Sequence, residues 1–167
     1  MPHHGENIVF NRVKDAFRLY HAYGDTVLAI SEMQRLLHQY DSAIEHTQET
    51  MRRAGVAAAC GLCAETTGSC CFEEVETWYD PMLLLINLLL NDELPRSRQI
   101  PNQCLFLGEN GCRLRARYAF CLNYFCPTLK TRLSSDAMKL TIAAVGQELA
   151  AGWELEQALY RWLKEKA

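Results

Sequence analysis

The chain has 167 residues, 49% of them hydrophobic and 22% charged, and a formal net charge of −3. That length and apolar content suffice for one globular domain without disulfide staples. The near-neutral charge gives no basic field for nucleic acid or an anionic membrane, and five prolines with nine glycines exclude a low-complexity chain.

The opening residues MPHHGENIVFNRVKD lack a basic n-region and an apolar h-region, so no secretory leader is read there. Phe10, Val13, Phe17 and Tyr20 recur at intervals of three and four, which predicts a first helix stopped by Gly24. Asp25 then caps a second helix over 26–54. Along it Ile30, Met33, Leu37, Tyr40, Ile44, Thr47 and Met51 form a 3-4 stripe, and Arg52, Arg53 and Gly55 mark its end. This stripe suits a helical hairpin over 8–55 packed on its own domain, and alternatively a seam with a protein partner or a second copy.

Residues 60–76 read as a loop by composition, with Glu73, Glu74 and Glu76 as a solvated acidic edge. Asp80-Pro81 starts a buried helix through MLLLINLLL, which is too short to span a bilayer and needs no membrane. The polar segment NDELPRSRQIPNQ is a connection. CLFL and CRLR predict a β-hairpin around Gly108–Gly111, with Phe106 opposite Cys112 and Cys104 opposite Leu114. In that register both thiols leave one face, and Arg113 and Arg115 leave the other. Over 128–165 the chain returns to helix, with a Ser134-Ser135 cap and a break at Gly152 before Leu155, Leu159 and Trp162. The expected fold is mainly α: a single domain over 1–167, a helical bundle with a small β-hairpin and cysteine-rich loops over 60–127.

All eight cysteines fall in two short blocks, CGLCAETTGSCC from Cys60 to Cys71 and QCLFLGENGCRLRARYAFCLNYFCP from Gln103 to Pro127. Cys60 and Cys63 form a C-x₂-C pair, whose spacing lets two sulfurs of one turn grip a metal. Cys70 and Cys71 are adjacent and point apart in extended chain, so one joins a second group of ligands or is buried. Cys121 and Cys126 are five apart, about 140° on a helix, so the helix must break near Asn123 for both to ligate; Pro127 supports that break. Buried small hydrophobes, a disulfide switch and metal binding compete for these thiols. Clustering of all eight in loop-rich segments of a chain read as cytoplasmic, where thiols stay reduced, favours metal. Arg113, Arg115 and Arg117 can offset the charge of a thiolate site.

The spacing C-x₂-C with a vicinal CC block, followed by C-x₇-C-x₈-C-x₄-C containing C-x-F-L, G-C-R-L and R-x₃-C, resembles the YkgJ-like family of zinc- or iron-chelating proteins. The resemblance covers Cys60 to Pro127. It implies Cys60, Cys63, Cys70, Cys71, Cys104, Cys112, Cys121 and Cys126 as metal ligands. In this chain six residues separate Cys63 from Cys70, more than is usual in the family, and Tyr118 stands where the family has proline. A flagellin lysine methylase is similar to this family and uses an iron–sulfur cluster, which implies iron, as a 4Fe-4S cluster, ahead of zinc.

No nucleotide loop and no H-E-x-x-H occur, and His38 and His46 fit a solvated helical surface. The leading expectation is a metal-binding protein. An iron–sulfur enzyme or electron-transfer subunit working with a larger partner, and a zinc-stabilised structural protein, are the alternatives.

Overall fold

The computed structural model describes residues 4–56, 58–60, 70–109 and 111–166. The fold is mainly α with one two-stranded hairpin. Helix α1 spans His4–Ala29 and α2 Ser31–Arg53; a short α3 covers Glu73–Glu76 and α4 Pro81–Leu89. Strands β1 (Leu107–Gly108) and β2 (Gly111–Cys112) follow, then α5 (Ala119–Asn123), α6 (Pro127–Arg132) and the long α7 (Ser135–Lys164).

Local capping explains several boundaries. The Asp80 carboxylate accepts from Leu83 N–H at 2.8 Å with Pro81 at the first helical position, which starts α4 as expected. Ser134 Oγ accepts from Ala137 N–H at 3.1 Å and starts α7. Gly55, with φ of 76°, follows the end of α2.

Two glycines read as helix stops are not. α1 continues through Gly24 to Ala29, and α7 continues through Gly152 to Lys164. At Gly24 a Cβ would lie 3.0 Å from the Tyr20 ring, and at Gly152 one would lie 2.9 Å from the Tyr40 ring. Both positions serve close approach of an aromatic ring, and neither has the positive φ of a stop. The second helix accordingly begins at Ser31 after an extended Ile30, with no side-chain cap, and not at Asp25.

The α2 stripe is buried, but chiefly against α7. Met33, Leu36, Leu37, Tyr40 and Ile44 share one core cluster with Ala151, Leu155, Ala158 and Leu159 of α7 and with Met82, Leu85, Ile86 and Leu89 of α4. The first half of α1 packs elsewhere, through Val9, Val13 and Ala16, onto Tyr79, Leu84, Leu88 and the segment Cys104–Phe106. α1 thus spans both cores, its second half joining the α2 cluster through Val27, Tyr20 and Tyr23. Among the described residues no helix is long and apolar enough to cross a membrane.

The β-hairpin exists with a different register. Leu107 pairs with Cys112 and Gly108 with Gly111, one residue away from the predicted pairing. Gly111 takes φ of 102°, and Leu107 N–H turns back to Cys104 O at 2.9 Å, so Cys104 precedes the strand in a turn. Cys104 and Cys112 therefore do not leave one strand face as facing neighbours.

Candidate metal centre

The two cysteine blocks are stitched together by backbone. Phe72 and Gln103 form an isolated antiparallel bridge, and Cys104 N–H donates to Cys71 O at 2.8 Å. Residues more than thirty apart in sequence are thereby held side by side.

Below this bridge lies a buried carboxylate. Glu76 is 1% exposed, in contrast to the solvated edge its neighbours suggested. Arg98 clamps it with both terminal nitrogens, Nη2 to Oε1 at 2.7 Å and Nη1 to Oε2, and Arg98 Nη1 also donates to Gln103 O at 2.8 Å. Glu76 Oε2 accepts from Leu105 N–H at 2.7 Å. A bidentate pair of this kind fixes position as well as charge, so the backbone on either side of Cys104 is pinned to α3. On the other side, Asn87 of α4 donates to Ala116 O and accepts from Ala116 N–H, both at 3.0 Å. Asp92 accepts from Arg115 N–H at 3.1 Å.

Cys121 lies on α5 and Cys126 caps α6, with an extended Tyr124 (ψ of 104°) between them. The helix break required near Asn123 is present. Cys126 Sγ accepts from Leu129 N–H at 3.4 Å, and Cys126 packs with Ala59 and Leu129, next to Cys60.

The thiols fall into two neighbourhoods. Cys71 acts electrostatically on Cys104, Cys112 and Cys121, while Cys70 feels Cys60 and Cys126. The vicinal pair is where the two neighbourhoods meet, since the Cys70 and Cys71 side chains are hydrogen-bonded to one another. Burial pushes the Cys104 thiol up to about 12 and the Cys121 thiol up to about 11. Burial likewise raises Cys112, and Cys70 is raised first by its hydrogen bond with Cys71 and then by burial. Cys112 belongs to an exposed stretch of hairpin, yet its thiol is desolvated, because the sulfur lies against the buried hydroxyl of Tyr79.

Tyr79 is the group that sequence reasoning passed over. It is 1% exposed, and its hydroxyl donates to Cys121 Sγ at 3.7 Å while also reaching Cys112. Phe106 and Tyr118 pack on its ring at centroid distances of 4.8 and 6.1 Å. Trp78 extends the aromatic wall through Phe72, Tyr118 and Phe120. Its only advance signal was an aromatic pair beside the Asp80-Pro81 cap.

The three arginines separate in role. Arg117 lowers Cys112 and Cys121 by its charge. Arg113 donates to Leu105 O at 2.6 Å and Ser97 O at 2.9 Å, and Arg115 pairs with Asp41. Arg117 acts by its charge on Tyr40 and Glu148 as well, while Arg113 and Arg115 tie their segment to neighbouring backbone and to α2.

An all-sulfur donor set beside a cation and an aromatic wall fits zinc or an iron–sulfur cluster in chemistry. Among the described residues, no three Cys, His, Asp or Glu side chains are gathered closely enough to hold a metal ion as they stand. Cys63, with its expected partnership to Cys60 and the loop over 61–69, lies outside the described residues. No family model matches the chain, and neither a curated protein nor a solved structure matches it, so the likeness to the YkgJ-like family rests on cysteine spacing alone.

Proposed function

We propose that this chain is a metal-binding protein of the reducing cytoplasm that holds its metal in two thiolate groups. Cys71, Cys104, Cys112 and Cys121 make up the inner group. Cys60, Cys63, Cys70 and Cys126 make up the outer one. The observation that carries the reading is the convergence of the two blocks. The Phe72–Gln103 bridge and the Cys104 to Cys71 backbone bond bring together thiols that a chain of buried hydrophobes would have scattered along its helices.

A 4Fe-4S cluster in the inner group would require its four thiols to close up from where they stand, and their surroundings suit one. Cys104 is buried, Cys71 and Cys121 pack against the same apolar cluster, and Tyr79, Phe106 and Tyr118 wall it off. Exclusion of water and hydrogen bonds to sulfur are the levers by which a protein preserves and tunes such a cluster. Tyr79 supplies the hydrogen bond and Arg117 the compensating charge. A bound cluster would supply one-electron chemistry or a structural clamp. The outer group, with its C-x₂-C pair and exposed Cys60 and Cys70, suits zinc.

Electron transfer to a larger partner is the second reading, favoured by one observation. Phe72 and Tyr124 are exposed, and ring contacts link them through Trp78 and Phe120 along the thiol edge.

Anaerobic purification followed by iron, sulfide and zinc analysis tests the proposal. A brown chain with about four irons and four sulfides is expected, absorbing broadly near 400 nm. Cys71→Ser should lose the iron and spare the zinc; Cys70→Ser should do the reverse. Zinc in both groups would overturn the cluster, and a metal-free chain with disulfides in its place would overturn metal binding altogether.

A further inference from the structure

Helix α7 buries one face against α2 and carries a second patterned face, on which Ile142, Gly146 and Tyr160 stand outside while Leu149, Trp153 and Glu156 also line a cleft with Asp80, Leu83 and Tyr118. Lys139, Ile142, Gly146, Leu149, Trp153, Glu156 and Tyr160 follow one another at alternating steps of three and four, the seam spacing of paired helices. Ile142 is 52% exposed, Trp153 62% and Tyr160 46%, although they are among the most apolar side chains of the helix.

Gly146 is the informative member. A glycine inside a helix costs about 1 kcal/mol relative to alanine. At Gly24 and Gly152 that cost is explained by a tyrosine ring in contact, whereas a Cβ at Gly146 would meet nothing within 4 Å. Among the described residues nothing requires it, which is the expectation for a position approached from outside.

We propose that this face binds a second copy of the chain, helix against helix, antiparallel, about a two-fold axis between Gln147 and Glu148. In that register Leu149 of each copy sits opposite Gly146 of the other and fills the space its missing side chain leaves. Trp153 covers Ile142, and Lys139 reaches Glu156. Parallel pairing would instead set Lys139 against Lys139, Glu156 against Glu156 and an empty Gly146 against its own image. The charge pattern supports the same choice. Among the described residues Glu156 has no ion pair, and burial and the neighbouring Asp80 carboxylate both push its carboxyl up. A lysine arriving there would offset the repulsion from Asp80, and Lys139 is held on its own helix only by an exposed Asp136 at 3.9 Å.

The stripe from 139 to 160 is about 33 Å long, and a helix pair of that length buries on the order of 1,000 Å² in total. This is the lower edge of a specific interface and predicts a reversible dimer in the micromolar range.

Sedimentation velocity of the full chain over a concentration series tests the proposal. A monomer–dimer equilibrium is expected, and Trp153→Glu should abolish it while circular dichroism shows the fold unchanged. Gly146→Leu should also abolish it, even though it raises helix propensity. Lys139→Glu and Glu156→Lys should each weaken the dimer about fivefold, since each contact occurs twice. Combining the two should restore it. A native chain that stays monomeric at about 0.2 mM overturns the proposal, being far above the range expected of such an interface. A dimer indifferent to Trp153→Glu overturns the surface, and failure of the charge exchange to rescue overturns the antiparallel register. None of these readouts depends on which metal the cysteines hold.

Discussion

Replacing Glu76 by alanine probes how the cysteine segments are held. The carboxylate is 1% exposed, and it satisfies both terminal nitrogens of Arg98, whose side chain is 14% exposed, and the buried Leu105 N–H. Removing one partner of a buried ion pair costs about 3–5 kcal/mol; Glu73 Oε1 lies 3.6 Å from Arg98 Nε and still faces the guanidinium, which puts this variant at the lower end. Leu105 N–H adds a buried unsatisfied donor, worth about 1–3 kcal/mol. The two terms overlap through local relaxation, so the expected loss is about 4 kcal/mol, a large part of a typical domain's stability. Glu76→Gln keeps an acceptor for Leu105 and should cost less, about 2–3 kcal/mol. Replacing Glu76 by leucine together with Arg98 by methionine removes the charge imbalance and should recover most of the alanine loss. Urea unfolding followed by circular dichroism, with metal content matched between variants, measures all three. A loss below about 1 kcal/mol for Glu76→Ala would refute the view that this carboxylate is the anchor of the Cys104 segment.

Two further perturbations follow from the helical core. Gly152→Ala should destabilise by about 1–3 kcal/mol in thermal melting, in spite of its better helix propensity, because the new Cβ would lie 2.9 Å from the buried Tyr40 ring. Glu148 is buried, its carboxylate oxygens lack a hydrogen bond, and the nearby Thr47 hydroxyl donates to Ala144 O at 3.2 Å. Burial raises the Glu148 carboxyl above its ordinary 4.5, against smaller opposing pulls from the Thr47 hydroxyl and then Arg117. The folded state therefore holds this proton more tightly than the unfolded one. Its contribution is fully present below pH 4.5 and is lost as pH rises through the folded value. Glu148→Gln should accordingly raise the melting temperature at pH 7 and leave it nearly unchanged near pH 4; equal shifts at both would exclude the burial argument.

The helix boundaries set by local chemistry were legible in the sequence. Asp80-Pro81, Cys126-Pro127 and Ser134 act within one turn, and each starts the helix it should. Gly24 and Gly152 were not legible, because a glycine signals a stop or a close approach equally well, and only Tyr20 and Tyr40 decide between them. The hairpin register slipped because Gly111 and the turn at Cys104 set it, not the alternation of side chains. Glu76 looked solvated because its partner lies twenty-two residues downstream in a segment without secondary structure. The adjacency of Cys70 and Cys71 implied only that one of them joins a second group of ligands or is buried. Which sulfur joins which group depends on the Phe72–Gln103 bridge, and no local pattern announces it.

The anchoring of the cysteine segments bears on what a metal would do here. Small metal domains often fold only when loaded, because the metal supplies the missing core. In this chain the α2, α4 and α7 core contains no cysteine and closes over Tyr40, Ile44, Leu155 and Leu159 without them. The second block is tied to that scaffold by side chains that are not thiols: Glu76 to Leu105, Asp92 to Arg115 and Asn87 to Ala116. Arg12 of α1 does the same for Tyr79, donating to its carbonyl at 3.0 Å. Four side chains thus hold the backbone around Cys104, Cys112 and Tyr79 before any ligand bond forms. The paired strands themselves are only two residues long, too few to hold a hairpin by their own hydrogen bonds. Loss of the thiol contacts should therefore loosen the hairpin and α5 locally while the helical core stays folded. A metal bound here would meet a backbone already in place, so that loading would cost little ordering of the scaffold around Cys104 and Cys112.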